Sequence, residues 1–195
     1  MIEFITGPMF SEKTTELLSR LNRRQIAGNE VILLRPNIDN RENLTHSGIS
    51  SSIPELFIET KSFYRRIDYT FDFHSNNYIP IKSFFKEEVK NYDVIGIDEI
   101  QFFDSTIIDV IDDLANKGKI FIVSGLNGTS EREIFPTISS LMPVVDKIIY
   151  KTGVCSKCGS DDGTFSYYKA GNKTEAVVVG GKDDYSVLCR KCYFE

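Results

Sequence analysis

Three groups of residues have types and spacings suited to chemistry. The first is Gly7-Pro8-Met9-Phe10-Ser11-Glu12-Lys13-Thr14, followed by Thr15. Such a loop between a strand and a helix offers backbone N–H groups and a helix N-terminus to phosphates. Lys13 would reach the β and γ oxygens, and the Thr14 hydroxyl would help to hold Mg²⁺. Glu12 stands where the usual pattern has glycine before the lysine. Taken alone, the segment also reads as a plain strand-to-helix turn that happens to carry a lysine.

The second group is Asp98-Glu99, delivered by the apolar run Val94-Ile95-Gly96-Ile97. Ligands of open α/β sheets bind at the C-terminal ends of strands, so Asp98 is placed to reach Mg²⁺ through water and Glu99 to face a nucleophile. The plainer alternative makes Asp98 a turn cap and Glu99 a solvated acid. The third group is Cys155/Cys158 and Cys189/Cys192, two CxxC pairs. Four thiolates make a tetrahedral set that suits structural Zn²⁺ and leaves no open position for a substrate.

These groups need a scaffold, and the pattern of apolar residues supplies one. Ile2 to Thr6 reads as a strand, and Thr14 to Ala27 as a helix with Leu17, Leu18 and Leu21 on one side. Gly28 stops that helix, and Glu30 to Leu34 is a second strand broken by Pro36. Further strands are expected at Val94 to Ile97, Ile120 to Val123 and Val144 to Tyr150, with a helix over Ile107 to Asn116 closed by Gly118. Ser124 to Gly128 reads as a turn. Between residues 36 and 85 the pattern is weak, with short strands at Ile53 to Ile58 and Ile79 to Ile81 and a helix over Lys82 to Lys90. Strands alternating with helices imply an α/β fold with a mostly parallel sheet covered on both faces. From Lys151 onward, glycines, cysteines and short β-prone pieces indicate a small zinc-ribbon-like lobe. The division expected is 1–150 for the nucleotide-binding domain and 151–195 for the zinc-binding lobe.

Bulk properties narrow the function. A chain of 195 residues with 41% hydrophobic composition suits one globular domain with a small appendage. Its formal net charge of -5 gives no general basic field for a nucleic-acid backbone, so no nucleic-acid partner is expected. No stretch approaches the ~18 consecutive apolar residues of a membrane span, and no secretory signal opens the chain. The protein is read as soluble and intracellular, with no membrane partner. In that setting paired cysteines argue for metal over disulfides.

Gly7 to Thr15 (GPMFSEKTT), Ile97 to Phe103 (IDEIQFF), Gly125 to Thr129 (GLNGT) and the C-terminal VVVGGKDDYSVLCRKCYF together resemble the cytosolic, zinc-containing (type II) thymidine kinases. Their order and intervals match over nearly the whole chain. Residues 60 to 85 look like an insertion. The resemblance implies a P-loop, RecA-like α/β fold that transfers the ATP γ-phosphoryl group, with Mg²⁺, to the 5′-hydroxyl of thymidine and also deoxyuridine. It implies that Gly7 to Thr15 and Asp98 hold ATP and Mg²⁺, that Glu99 is the general base, and that Lys13 and Arg41 stabilise the transferring group. It also implies a thymine site of Met9, Phe102, Phe135, Ser166 and Tyr185, closed by a lasso whose backbone around Val178 and Gly180 bonds the base. Seen singly, each of these aromatics also reads as core packing, and Gly180-Gly181 as a hairpin turn. A homotetramer, a cytoplasmic location and feedback inhibition by dTTP are implied in the same way.

The chain departs from the family at Glu12, at Ser130 where an aromatic often lies over the base, at Asn127 where Asp is common, and at His46-Ser47-Gly48, which lacks an acid. Glu12 raises two further expectations. Its carboxylate would oppose ATP by like charge. An impaired, nucleotide-binding homologue is therefore the second reading, and a zinc-ribbon P-loop ATPase acting on nucleic acid is the third.

Overall fold

In the computed structural model, residues 1–36, 53–58, 69–72, 77–80, 86–170 and 180–195 are described. The first apolar run forms β1, Ile2–Gly7, buried along its whole length. A loop leads to α1, Lys13–Ile26, which buries Leu17, Leu18 and Leu21. Strand β2, Val31–Pro36, carries Pro36 as its last residue and pairs with β3, Glu55–Ile58. A separate antiparallel pair joins β4, Tyr69–Asp72, to β5, Asn77–Pro80.

The middle of the chain gives β6, Val94–Ile97, a 3-10 turn at Ile100–Phe102, and α2, Ile107–Asn116. Then come β7, Ile120–Leu126, α3, Pro136–Leu141, and β8, Lys147–Tyr150. The sheet order is β3-β2-β6-β7-β1-β8, and every neighbouring pair is parallel. The expected α/β class with a parallel sheet is borne out. Strand β7 runs three residues past Val123, through the stretch expected as a turn, because Ser124 to Leu126 pair with Ile5 to Gly7 of β1.

Strand alternation divides the core in two. Ile2, Phe4, Ile95, Ile97, Phe121 and Val123 point to the face covered by α2 and α3. Ile5, Val31, Leu33, Val94 and Ile122 point to the face covered by α1. Gly96 lets that helix come close, since a Cβ there would lie 2.4 Å from Leu21 Cδ1. The strand expected at Val144 to Tyr150 begins at Lys147, because Met142–Val144 is a 3-10 turn. It lies at the sheet edge, and Ile148 and Tyr150 are exposed there.

Beyond β8, β9, Phe165–Tyr168, pairs antiparallel with β10, Tyr185–Leu188, and a short helix, α4, Arg190–Phe194, closes the chain. Cys155, Leu188, Cys189 and Cys192 form their own small core. None of the described helices is long and apolar enough to cross a membrane.

Candidate active site

Parallel pairing sets the C-terminal ends of β1, β6 and β7 on one edge of the sheet, and the candidate residues gather there. At the end of β1 only glycine fits: a Cβ on Gly7 would lie 2.2 Å from the Lys151 carbonyl oxygen. The following loop passes through Phe10 at φ 57° and Glu12 at φ 58°, both left-handed. That conformation costs a non-glycine residue about 1–2 kcal/mol. Glycine is therefore the natural choice at position 12 for a backbone reason. The Glu12 side chain is exposed.

Lys13 opens α1 and is buried. Its Nζ donates to the Pro8 carbonyl at 2.6 Å, and Ser11 Oγ donates to the same oxygen at 2.8 Å. Burial pushes the Lys13 pKa down, while the Glu99 and Asp98 carboxylates push it up. The next residue, Thr14, donates from Oγ1 to the Asp98 carboxylate at 3.1 and 3.2 Å. Asp98 Oδ1 also accepts from the Glu99 N–H at 3.1 Å and from Ser124 Oγ. Ser124 can do this because Ile97 and Val123 pair across β6 and β7, which sets the next residues side by side.

Glu99 adopts φ 50°, a left-handed backbone of the kind held in place at functional sites. Its carboxylate accepts from Gln101 Nε2. Gln101 is buried, and its Oε1 accepts the Leu126 N–H at 3.1 Å, which ties Glu99 to the end of β7. The Thr14 and Ser124 hydroxyls, the Lys13 ammonium and two carboxylates thus converge at the sheet edge.

The second cluster lies between β9, β10 and α4. All four cysteine Sγ atoms are within 4.8 Å of one another, and Cys158 Sγ is 3.8 Å from Cys189 Sγ. A tetrahedral zinc with Zn–S bonds of about 2.3 Å requires sulfurs about 3.8 Å apart. Hydrogen bonding, led by the Cys189 backbone N–H, lowers the Cys155 pKa to about 6. Burial, then the neighbouring thiols, push Cys192 up to about 12. Four thiolates this close are stable together only around a cation, so the donor set fits structural zinc.

Comparison with known proteins identifies the family. A family model described as thymidine kinase matches residues 1–193. The thymidine kinase of Amsacta moorei entomopoxvirus is 36% identical, covering 98% of this chain and 97% of the viral one. Those of raccoon poxvirus, 38% identical over 98% and 96% of the two chains, and vaccinia virus strain Western Reserve, 35% over 100% and 97%, are similar. The chain belongs to the thymidine kinase family.

Membership places the chain among ATP-dependent nucleoside kinases, and the reading of an impaired homologue is not favoured over it. Of the residues that family likeness assigned to the site, Lys13, Thr14, Asp98 and Glu99 are brought together. So are Met9 and Ser166, whose Oγ accepts the Met9 N–H at 3.0 Å. Ser166 thereby joins β9 to the loop after β1. Tyr185 is buried beside Tyr168, with ring centroids 5.2 Å apart. Gly180 precedes a turn in which the Gly181 N–H bonds Asp184 Oδ2 at 3.1 Å. Phe102 is half-buried in the turn after Glu99, and Phe135 belongs to the main core. Arg41, His46 and Val178 lie outside the described residues.

Several contributors take their place from the fold, with no role that local spacing assigns. Gln101 and Ser124 act across strands and through a turn, which spacing does not reveal. Asn127, noted only as a departure from the family, donates from Nδ2 to Tyr150 Oη at 2.9 Å and to the Thr164 carbonyl at 3.2 Å. It fastens the end of β7 to the start of the cysteine-bearing section. Ser130 offers its carbonyl to the Tyr193 hydroxyl, so α4 holds the loop that follows β7.

Proposed function

We propose that the protein phosphorylates thymidine, and deoxyuridine as a second substrate, by transferring the ATP γ-phosphoryl group to the 5′-hydroxyl. The observation that carries this reading is the contact of Thr14 with Asp98 beside Lys13 and Glu99, in a chain of this family. Gly7 to Thr15 hold the phosphates of ATP, and Lys13 leaves Pro8 for their β and γ oxygens. Hard oxygen donors from Thr14 and Asp98 suit Mg²⁺, which when bound neutralises phosphate charge.

Glu99, fixed by Gln101, accepts the 5′-hydroxyl proton, and Arg41 steadies the transferring group. Phosphoryl transfer depends chiefly on positioning and charge, and these residues supply both. The thymine ring lies among Met9, Phe102, Phe135, Ser166 and Tyr185, with backbone near Val178 and Gly180 bonding its edge. The Met9–Ser166 bond supports this placement, since it draws the loop and β9 together. Residues 1–150 form the nucleotide-binding unit and 151–195 the zinc-holding one. Zinc is structural, dTTP occupies the same site as a feedback inhibitor, and the enzyme works in the cytoplasm as a homotetramer. Exposed Ile148 and Tyr150 on the edge strand are apolar surface that subunit contact would cover.

Initial rates with Mg·ATP and a nucleoside panel test the reading. Product is expected with thymidine, less with deoxyuridine and none with purine nucleosides. ATP hydrolysis stimulated by DNA or RNA in place of nucleoside phosphorylation would overturn it.

A further inference from the structure

The same sheet edge carries a further cation, Arg35. Arg35 precedes the last residue of β2, next to β6 in the sheet, with Leu34 opposite Ile97. The Asp98 N–H donates to the Leu34 carbonyl at 3.0 Å, so the sheet itself sets Arg35 beside Asp98. Arg35 shares the face of Val31 and Leu33, the face covered by α1, whose first turn carries Lys13 and Thr14.

The guanidinium is held close to acids without being bonded to them. Arg35 Nε is 3.9 Å from Asp98 Oδ2 and 3.8 Å from Glu55 Oε2, beyond hydrogen-bond reach in both cases. Nε is buried and has no hydrogen-bond partner among the described residues. The side chain is 20% exposed, so its fork is neither sealed in the core nor free in solvent. Asp98 Oδ1 is already occupied by Ser124 and the Glu99 N–H. A planar, permanently charged fork with unused donors beside a metal-linked acid suits an incoming oxyanion.

We propose that Arg35 is a catalytic cation of the phosphoryl transfer, donating to a nonbridging oxygen of the γ-phosphoryl group from between Asp98 and Glu55. The inference rests on the kinase reading of the site. As the thymidine 5′-oxygen bonds to the γ-phosphorus, the bond from that phosphorus to the β,γ-bridging oxygen breaks. The hydroxyl proton passes to Glu99 and ADP leaves. The hydrogen bonds from Arg35 shorten as charge spreads over the transferred oxygens.

The test compares wild type, Arg35→Met and Arg35→Lys in turnover and in binding. Turnover of thymidine by the wild type tests the kinase reading separately, because its absence would defeat that reading before any variant is made. Arg35→Met is expected to lower kcat about 10²-fold, the usual loss for one donor to a developing oxyanion. Arg35→Lys, which keeps the charge, recovers part of the loss. In equilibrium binding, Arg35→Met keeps its affinity for Mg·ADP and for thymidine separately. It loses affinity for the ternary complex of thymidine, Mg·ADP and aluminium fluoride, which mimics the transferring group. A kcat near the wild-type value overturns the proposal. So does equal weakening of Mg·ADP binding, which would mean that Arg35 acts only by orienting Asp98. A loss of melting temperature that Arg35→Lys does not restore would also overturn it, by making Arg35 a structural residue.

Discussion

The Glu99 carboxylate is held by the side-chain amide of Gln101, whose oxygen is in turn held by the Leu126 N–H. That bond helps to fix the direction of a carboxylate carried on a left-handed backbone at a strand end. Gln101→Leu removes the hydrogen bond and leaves the Leu126 N–H unpaired, at a cost of about 1–3 kcal/mol. The expected result is a kcat lowered by about 10- to 100-fold with a smaller change in thymidine KM. Gln101→Glu sets a second acid beside Glu99 and disfavours its charged form, so the acidic limb of the pH–rate profile moves to higher pH. Identical profiles for wild type and Gln101→Glu would remove Gln101 from the catalytic account.

Glu12 gives a second test. Glu12→Gly relieves about 1–2 kcal/mol of left-handed strain. It returns about 0.4–1 kcal/mol through greater freedom of the unfolded chain. A net gain in stability is expected, together with a lower KM for Mg·ATP because one like charge is gone from the loop. A glycine variant that melts lower and binds Mg·ATP no better would show that neither strain nor charge at residue 12 matters.

How far the site can be read from the sequence depends on whether its parts are local. The loop at Gly7 to Thr14, the acids at Asp98 and Glu99 and the two cysteine pairs are each continuous, and their spacing alone expresses their chemistry. Gln101, Ser124, Asn127 and Arg35 gain their roles from strand order and register, which bring residues distant in sequence into contact. The fold shows the same division. Buried strands and the helices Lys13–Ile26 and Ile107–Asn116 are legible by period, whereas Pro136–Leu141 and Arg190–Phe194 are too short to establish one. Lys147–Tyr150 has the composition of a central strand, but edge position exposes two of its apolar side chains.

The cysteine cluster predicts a link between metal, stability and the loop after β1. Cys189→Ser leaves three thiolates, and zinc is expected to be lost together with more than about 10 °C of Tm, at roughly 2–4 °C per kcal/mol for a chain of this size. Because Met9 is bonded to Ser166 on β9, chelation should also weaken nucleoside binding before the sheet melts. Metal analysis finding no zinc in reduced, carefully purified protein would defeat the assignment.

Lys13 predicts a pH effect whose sign follows from its surroundings. Burial lowers its folded pKa, so the unfolded chain binds the proton more tightly. Its contribution to stability therefore rises with pH between the folded and unfolded values. Lys13→Met should remove that slope and abolish turnover, whereas an unchanged slope would show that Lys13 is not desolvated in the free enzyme.

The most direct test of the account compares wild type with Glu99→Gln, which preserves shape and the bond from Gln101 but cannot accept a proton. With Mg·ATP and thymidine, the wild type is expected to form thymidine 5′-monophosphate. The variant is expected to lose about 10²- to 10⁴-fold in kcat and to keep its thymidine Kd. No product from the wild type, or a variant that turns over at nearly the wild-type rate, would contradict the account.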